Sequence, residues 1–201
     1  RYAGPELRAR WSELDPYLRK MNSPPGRGHP TGPWHTLKVA PIPYNRIAGE
    51  AATEEKVVSG GAGAVEGRVA NIAKSFPSER IQHDNPDGRV KDMDAEGVDV
   101  NLIIPGTWAP ASTAIERALH VGLYGAYHEY MRDFCSGHPT RLRGLILAPG
   151  ADVDWAVKEI KSRGKEPWAS CVWVSLPEGM PIDDPKLDPI WAVMNDYHLP
   201  I

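Results

Sequence analysis

The stretch that most constrains the fold is Gly97-Val98-Asp99-Val100-Asn101-Leu102-Ile103-Ile104-Pro105, followed by Gly106-Thr107-Trp108. Val98, Val100, Leu102, Ile103 and Ile104 make a nearly continuous apolar run, the pattern of a strand buried on both faces of a parallel sheet. The helix before it is well marked. Asn85 suits the N-cap, Pro86 the first helical position and Gly97 a left-handed C-terminal cap. Pro105-Gly106 then stops the strand and opens a loop at its C-terminal end, where parallel α/β folds build their sites.

The same grammar recurs twice. A long helix over 112–136 keeps Ile115, Leu119, Leu123, Ala126, Tyr127, Tyr130 and Phe134 on one face, with Thr113 and Glu116 at capping-box spacing and Gly137 as the stop. A strand follows at 142–148, closed by Pro149-Gly150, then a helix over 152–163 ending at Gly164. The third strand, 170–174, ends in Ser175-Leu176-Pro177, and a helix over 185–197 leads to Leu199-Pro200-Ile201, the start of another strand. With no antiparallel signal, right-handed crossovers make the sheet parallel. An open doubly wound sheet and a (β/α)8 barrel both fit. The strand ends carry Pro-Gly rather than a Gly-rich phosphate fingerprint, which favours the barrel.

Residues before 85 read differently. Leu7, Trp11, Leu14 and Leu18 have helical spacing interrupted by Pro16, so a short helix, a kink and a further turn are expected. Ser23 to Pro43 reads as an ordered loop. Residues 49–77 are small and polar around Gly60-Gly61-Ala62-Gly63-Ala64, a run that lacks the strand, helix and Lys-Ser/Thr of a phosphate loop. The expected organisation is therefore an N-terminal helix with an irregular Pro/Gly-rich excursion over 1–84, and an α/β part over 85–201. The chain is 41% hydrophobic and 24% charged with a formal net charge of -3. That leaves no electrostatic footprint for nucleic acid or an acidic membrane. No apolar run approaches the roughly 20 residues of a membrane helix. Cys135 and Cys171 lie in apolar stretches without metal-like spacing and read as buried thiols of a reducing compartment. The opening at Arg1 and the stop at Ile201 suggest a piece of a longer chain.

Four segments resemble the amidohydrolase-related family of metal-dependent (β/α)8 enzymes. They are Arg89-x-x-Asp92-Met93-Asp94-x-x-Gly97-Val98-Asp99, His138-Pro139-x-Arg141-Leu142-x-Gly144-Leu145, Ala156-Val157-x-Glu159-Ile160, and Asp183-Asp184-Pro185-x-Leu187-x-Pro189-Ile190-Trp191 with His198-Leu199-Pro200-Ile201 after it. The family includes hydrolases and decarboxylases resembling aminocarboxymuconate-semialdehyde decarboxylase. The resemblance implies an incomplete TIM barrel, holding strands two to four and the start of the fifth. It also implies one divalent metal, zinc with manganese or iron as alternatives, and a cytoplasmic homodimer. The family's ligands are a His-x-His pair after the first strand, histidines after the fifth and sixth, and an Asp after the eighth. None of those positions falls within 1–201, and the seven histidines are isolated. Metal and catalytic residues are thus expected outside this chain.

Candidate substrate contacts are Trp108, Thr107, Ser175 and His83. Trp108, three residues past Pro105, could wall a pocket and stack on a planar substrate, or simply cover the rim. Ser175 could donate one hydrogen bond into the pocket or satisfy local backbone. His83, His29 or His35 could reach the barrel mouth as acid, base or contact. His120 and His128 read as solvated helix surface, Lys158 and Glu159 as surface charges, and Arg80 and Arg89 as carboxylate binders or structural groups. The functional expectation is a metal-dependent enzyme acting on a small, aromatic or conjugated organic acid by hydrolysis or non-oxidative decarboxylation. The alternatives are a non-catalytic barrel and a flavodoxin-like binding module.

Overall fold

A computed structural model describes residues 1–22, 33–37, 85–106, 108–177 and 179–201. The chain opens with helix α1 (Pro5–Ala9), its Pro in the first turn, and a 3-10 helix over Trp11–Tyr17 that contains Pro16. Leu7 and Leu14 are buried against Ile115 and Leu119, whereas Trp11 of the same spacing is exposed. A strand follows, β1 (Leu18–Asn22), pairing antiparallel with β2 (Pro33–Leu37), Leu18 opposite Leu37. This corrects the expectation of a loop at 33–37; the strands of the 85–201 part are parallel. Trp and Thr suit a pleated ladder, and Pro33 stands at the first residue of its strand, where a missing N–H is tolerated. The Gly60–Ala64 run, His29, His83, Arg80 and Thr107 lie outside the described residues.

Helix α2 (Pro86–Glu96) starts and ends as its sequence requires. Asn85 accepts from the Gly88 N–H at 2.8 Å, and Gly97 turns left-handed at φ 72°. The Val98 N–H bonds back to Met93 O at 2.8 Å, so the chain spends 97–100 leaving the helix. Strand β3 is therefore only Asn101–Ile103 and not 98–104. Val100, Leu102 and Ile104 are exposed, which corrects the reading of a strand buried on both faces. β3 is an edge of the three-stranded sheet, and among the described residues no layer packs on the outward-facing positions of its run.

The expected helix over 112–136 is divided. Helix α3 (Trp108–Ala111) and a 3-10 turn (Ser112–Ala114) precede α4 (Arg117–Cys135). Glu116 itself is the cap, its carboxylate accepting from the Ala118 and Leu119 N–H groups at 3.1 and 3.3 Å. Strand β4 (Leu142–Pro149), helix α5 (Val153–Arg163) capped by Asp152, strand β5 (Ala169–Ser175), a 3-10 turn (Pro185–Leu187) and helix α6 (Asp188–Asp196) complete the order within one or two residues of expectation.

The sheet is parallel with order β3-β4-β5 and a register shift between Gly144 and Leu145. Past α6, Pro200 O accepts from the Val172 N–H at 2.8 Å, so the chain end lies along the free edge of β5. The helices share one layer. His128 of α4 reaches Glu159 of α5 at 2.7 Å, and Tyr197, just after α6, donates to Lys161 O of α5 at 3.2 Å. His138, after α4, meets Asp87 of α2 at 2.6 Å. Helices on opposite faces could not exchange such bonds, because the sheet would stand between them. Leu142, Ile146, Leu147, Ile160, Leu187 and Ile190 are fully buried. Leu147 is fully buried and Ile103 and Val174 partly so, while Leu102 and Ile104 beside Ile103 are exposed.

Candidate functional site

The C-terminal ends of the strands gather side chains from α3, α4, the start of α5 and the end of β5. Tyr124 of α4 is at the centre. Its hydroxyl donates to Ala109 O at 3.1 Å and lies 3.2 Å from Ser175 Oγ. Ser112 Oγ also donates to Ala109 O, at 2.6 Å. These bonds tie the segment after β3 to the end of β5. Burial raises the Tyr124 phenol, only partly offset by hydrogen bonds with Ser175 and Ser112. At neutral pH it is a fixed hydroxyl, not an acid or base.

Trp108 is half-buried. Its ring meets Tyr124 edge-on at 6.2 Å and Tyr127 at 5.7 Å. One side of the indole is thus held by α4, the geometry that edge-to-face pairs favour. Ser175 is buried. The structure brings Trp108 and Ser175 to one place through Tyr124, a residue the sequence reading did not single out.

His120, one helical turn before Tyr124, meets its ring edge-on at 4.3 Å. Burial lowers the imidazole to about 4, against a smaller opposing pull from Asp152. His120 is neutral at pH 7, and its Nε2 has no hydrogen-bond partner among the described residues. Asp152 caps α5 by accepting from the Trp155 N–H and holds Arg117 in a fork of two contacts at 2.6 Å. The Arg117 hydrogen bond holds the Asp152 carboxyl below its ordinary range, against burial. Chemically, the cluster supplies fixed hydroxyls, a neutral imidazole and a closed ion pair. It is suited to holding a rim in shape and to hydrogen bonding.

His128 is fully buried and His120 nearly so, which corrects the surface reading of both. Glu159 is likewise no surface charge. Burial would raise its carboxyl, but hydrogen bonds from His128 and Arg163 hold it at about 2. The signal was present: His120, Tyr124 and His128 are spaced by four, on the stripe that continues to Met131 and Cys135, and a stripe at that spacing shares one helix face. Arg89 forks onto Asn101 Oδ1 at 2.9 and 2.7 Å and is structural. Cys135 and Cys171 are free and buried, and burial pushes the Cys135 thiol up to about 11.

Among the described residues, no group of three or more His, Cys, Asp or Glu side chains is arranged to hold a metal ion. His128 has both ring nitrogens engaged, and Asp152 is committed to Arg117. The described residues therefore do not fit a metal centre by themselves. An open cleft of about 470 Å3 is lined by Met93, Asp94, Val98, Val100 and Arg141, at the N-terminal ends of β3 and β4. In βα folds that end serves stability. Arg141 is spent there on Asp94, Asp99 O and Val98 O. Among the described residues, no helix is long and apolar enough to cross a membrane.

No protein-family model matches the chain, and no curated protein does. Among solved structures, a 2,6-dihydroxybenzoate decarboxylase in complex with 2,6-dihydroxybenzoate is similar at 24% identity and a TM-score of 0.49. The match covers 59% of this chain and 40% of that one, so the chain spans well under half of the matched enzyme.

Proposed function

We propose that this chain is part of a metal-dependent enzyme of the amidohydrolase kind. It acts on a small aromatic or conjugated organic acid, by hydrolysis or by loss of CO2. The observation that carries the reading is one of order. The four family-like segments fall on consecutive parallel βα units whose helices form a single layer. A flavodoxin-like module would carry helices on both faces of its sheet. We read β3, β4 and β5 as the second to fourth strands of a (β/α)8 barrel, with Pro200 opening the fifth.

The divalent metal, zinc in first place with manganese or iron as alternatives, is held by residues outside 1–201. It would polarise a carboxylate or carbonyl, or lower the pKa of bound water. The chain's own residues shape the mouth. Trp108, backed by Tyr124 and Tyr127, offers an indole surface to a planar acid, and Ser175 offers a hydroxyl. His83 and Thr107 complete the proposed contacts. The whole protein works as a cytoplasmic homodimer, with no nucleic acid or membrane partner.

The test uses the full-length protein, its metal content measured, with a panel of aromatic acids that includes 2,6-dihydroxybenzoate. Turnover that a chelator abolishes and metal restores is the expected result. Trp108→Ala should then lower kcat/KM about tenfold, or about 1.4 kcal/mol of transition-state binding. A full-length protein that binds no divalent metal and turns over no acid overturns the enzyme reading and leaves a non-catalytic barrel.

A further inference from the structure

Strand β3 stops pairing early, and the reason is local. Asn101 donates to Arg141 O at 2.8 Å, and the ladder runs to Ile103 opposite Gly144. Two residues on stands Pro105, which has no N–H for the next rung. The edge of β4 beyond Leu145 is then left with a backbone N–H, that of Leu147, that a strand would normally take. A side chain of α4 takes it instead. The Tyr127 hydroxyl closes the end of the ladder, donating to Ile103 O at 3.4 Å. One rung further, the Leu147 N–H donates to His128 Nε2 at 2.8 Å.

That second bond fixes the imidazole. Nε2 faces a donor, so it must be the lone-pair nitrogen, and Nδ1 carries the proton. Nδ1 lies 2.7 Å from Glu159 Oε2 and donates to it. Glu159 is also held by Arg163 Nε at 2.7 Å, and Arg163 continues to Glu129 at 2.7 Å and to Glu166 at 3.4 Å. The rings of Trp155 and Trp168 lie 6.1 and 6.0 Å from the imidazole. His128 thus joins three elements: α4 that carries it, β4 through Leu147 and α5 through Glu159.

We propose that His128 is an acid-released latch on the free edge of β4, holding the Leu147 backbone only while its Nε2 is unprotonated. A proton taken from solvent at Nε2 sets N–H against N–H, and the Leu147 amide must then turn to water. The charged groups around the ring are Glu129 on its own helix, Glu159 and Arg163 on α5, and Glu166 in the turn before β5. The carboxylates favour the imidazolium, while burial and Arg163 oppose it. Burial is the largest effect, so the ring protonates below the ordinary imidazole range. The latch is therefore closed at neutral pH and opens on acidification, at a site separate from the Trp108–Ser175 rim.

Hydrogen exchange on the intact chain tests this, with protection factors corrected for the intrinsic pH dependence of exchange. From about pH 7 to about pH 4.5, Leu147 protection should fall at least tenfold. Ile146 and Ala148, whose rungs belong to β5, should keep theirs. A 15N spectrum of the histidines should show His128 with its proton on Nδ1 at neutral pH. His128→Gln, whose side-chain oxygen can accept from Leu147, should protect the amide at both pH values and abolish the difference. Loss of protection at Leu147, Ile146 and Ala148 together would mean global unfolding and would overturn the latch. So would an Nε2-protonated ring at neutral pH, or a His128→Gln protein with the wild-type pH response.

Discussion

Replacing Gly164 with alanine sets two physical effects against each other. Gly164 closes α5 with φ -61° and ψ -13°, a conformation alanine adopts freely. On backbone entropy alone, Gly→Ala at such a position should stabilise by about 0.4–1 kcal/mol, because the unfolded chain loses freedom. The packing says otherwise. A Cβ at 164 would stand 2.5 Å from Tyr197 Cδ1, 3.0 Å from Tyr197 Cγ and 2.7 Å from Ile160 O. The Ile160 carbonyl cannot retreat, because it accepts the Gly164 N–H at 2.7 Å. The Tyr197 ring is held as well, its hydroxyl donating to Lys161 O. Overpacking against atoms that cannot move costs about 1–3 kcal/mol. The net expectation is a loss of about 1–2 kcal/mol, the packing effect winning. In a chain of this size that lowers Tm by about 2–4 °C per kcal/mol. Urea denaturation should show a lower midpoint with an unchanged slope. Pairing Gly164→Ala with Tyr197→Leu, which removes the flat ring edge, should recover much of the loss. The contrast at Gly144 sharpens the point. There the nearest atom to an added Cβ is the Met131 methyl, the end of a flexible side chain, so Gly144→Ala should cost less than Gly164→Ala. A Gly164→Ala protein more stable than wild type would refute the argument from packing.

Acid should weaken the fold. His120 is held near 4 against an ordinary 6.5, so the unfolded chain binds its proton first. The stability this neutral histidine contributes is complete above pH 6.5 and is lost as pH falls toward 4, by about 3 kcal/mol at most. His128, lowered in the same direction, adds to that acid limb. His120→Phe should flatten part of the limb in chemical denaturation scans between about pH 7 and about pH 4.5; an unchanged profile would mean that His120 is hydrated. Tyr124→Phe removes the hydroxyl between Ala109 O and Ser175 and should cost about 1 kcal/mol, as Ser112 still serves the Ala109 carbonyl. A loss above about 3 kcal/mol would show the hydroxyl network to be more cooperative than its separate bonds.

The elements that were legible in the sequence are those whose signals are local. The cap at Asn85, the left-handed Gly97, the Pro149-Gly150 stop and the Asp152 start each follow from one or two residues, and each stands where expected within a residue or two. What was not legible depends on what lies beside a segment. The run from Val98 to Ile104 has the composition of a doubly buried strand, yet it forms the sheet's edge and leaves alternate residues exposed. Hydropathy reports what a segment can bury and is silent on whether a neighbour covers it. The histidines of α4 failed for the complementary reason. Polarity placed them at the surface, but each satisfies burial in its own way, His128 through two hydrogen bonds and His120 by remaining neutral. A polar residue on an apolar stripe is as informative as the stripe itself, because burying it requires a partner or a lost charge. Applied to α4, that rule turns His120, Tyr124 and His128 from helix decoration into the side chains that link the strand ends, complete the edge of β4 and join α4 to α5. Pro105 makes the assignment necessary: once it ends the ladder, the N–H of Leu147 needs an acceptor, and the helix that follows carries an imidazole at the position that supplies it.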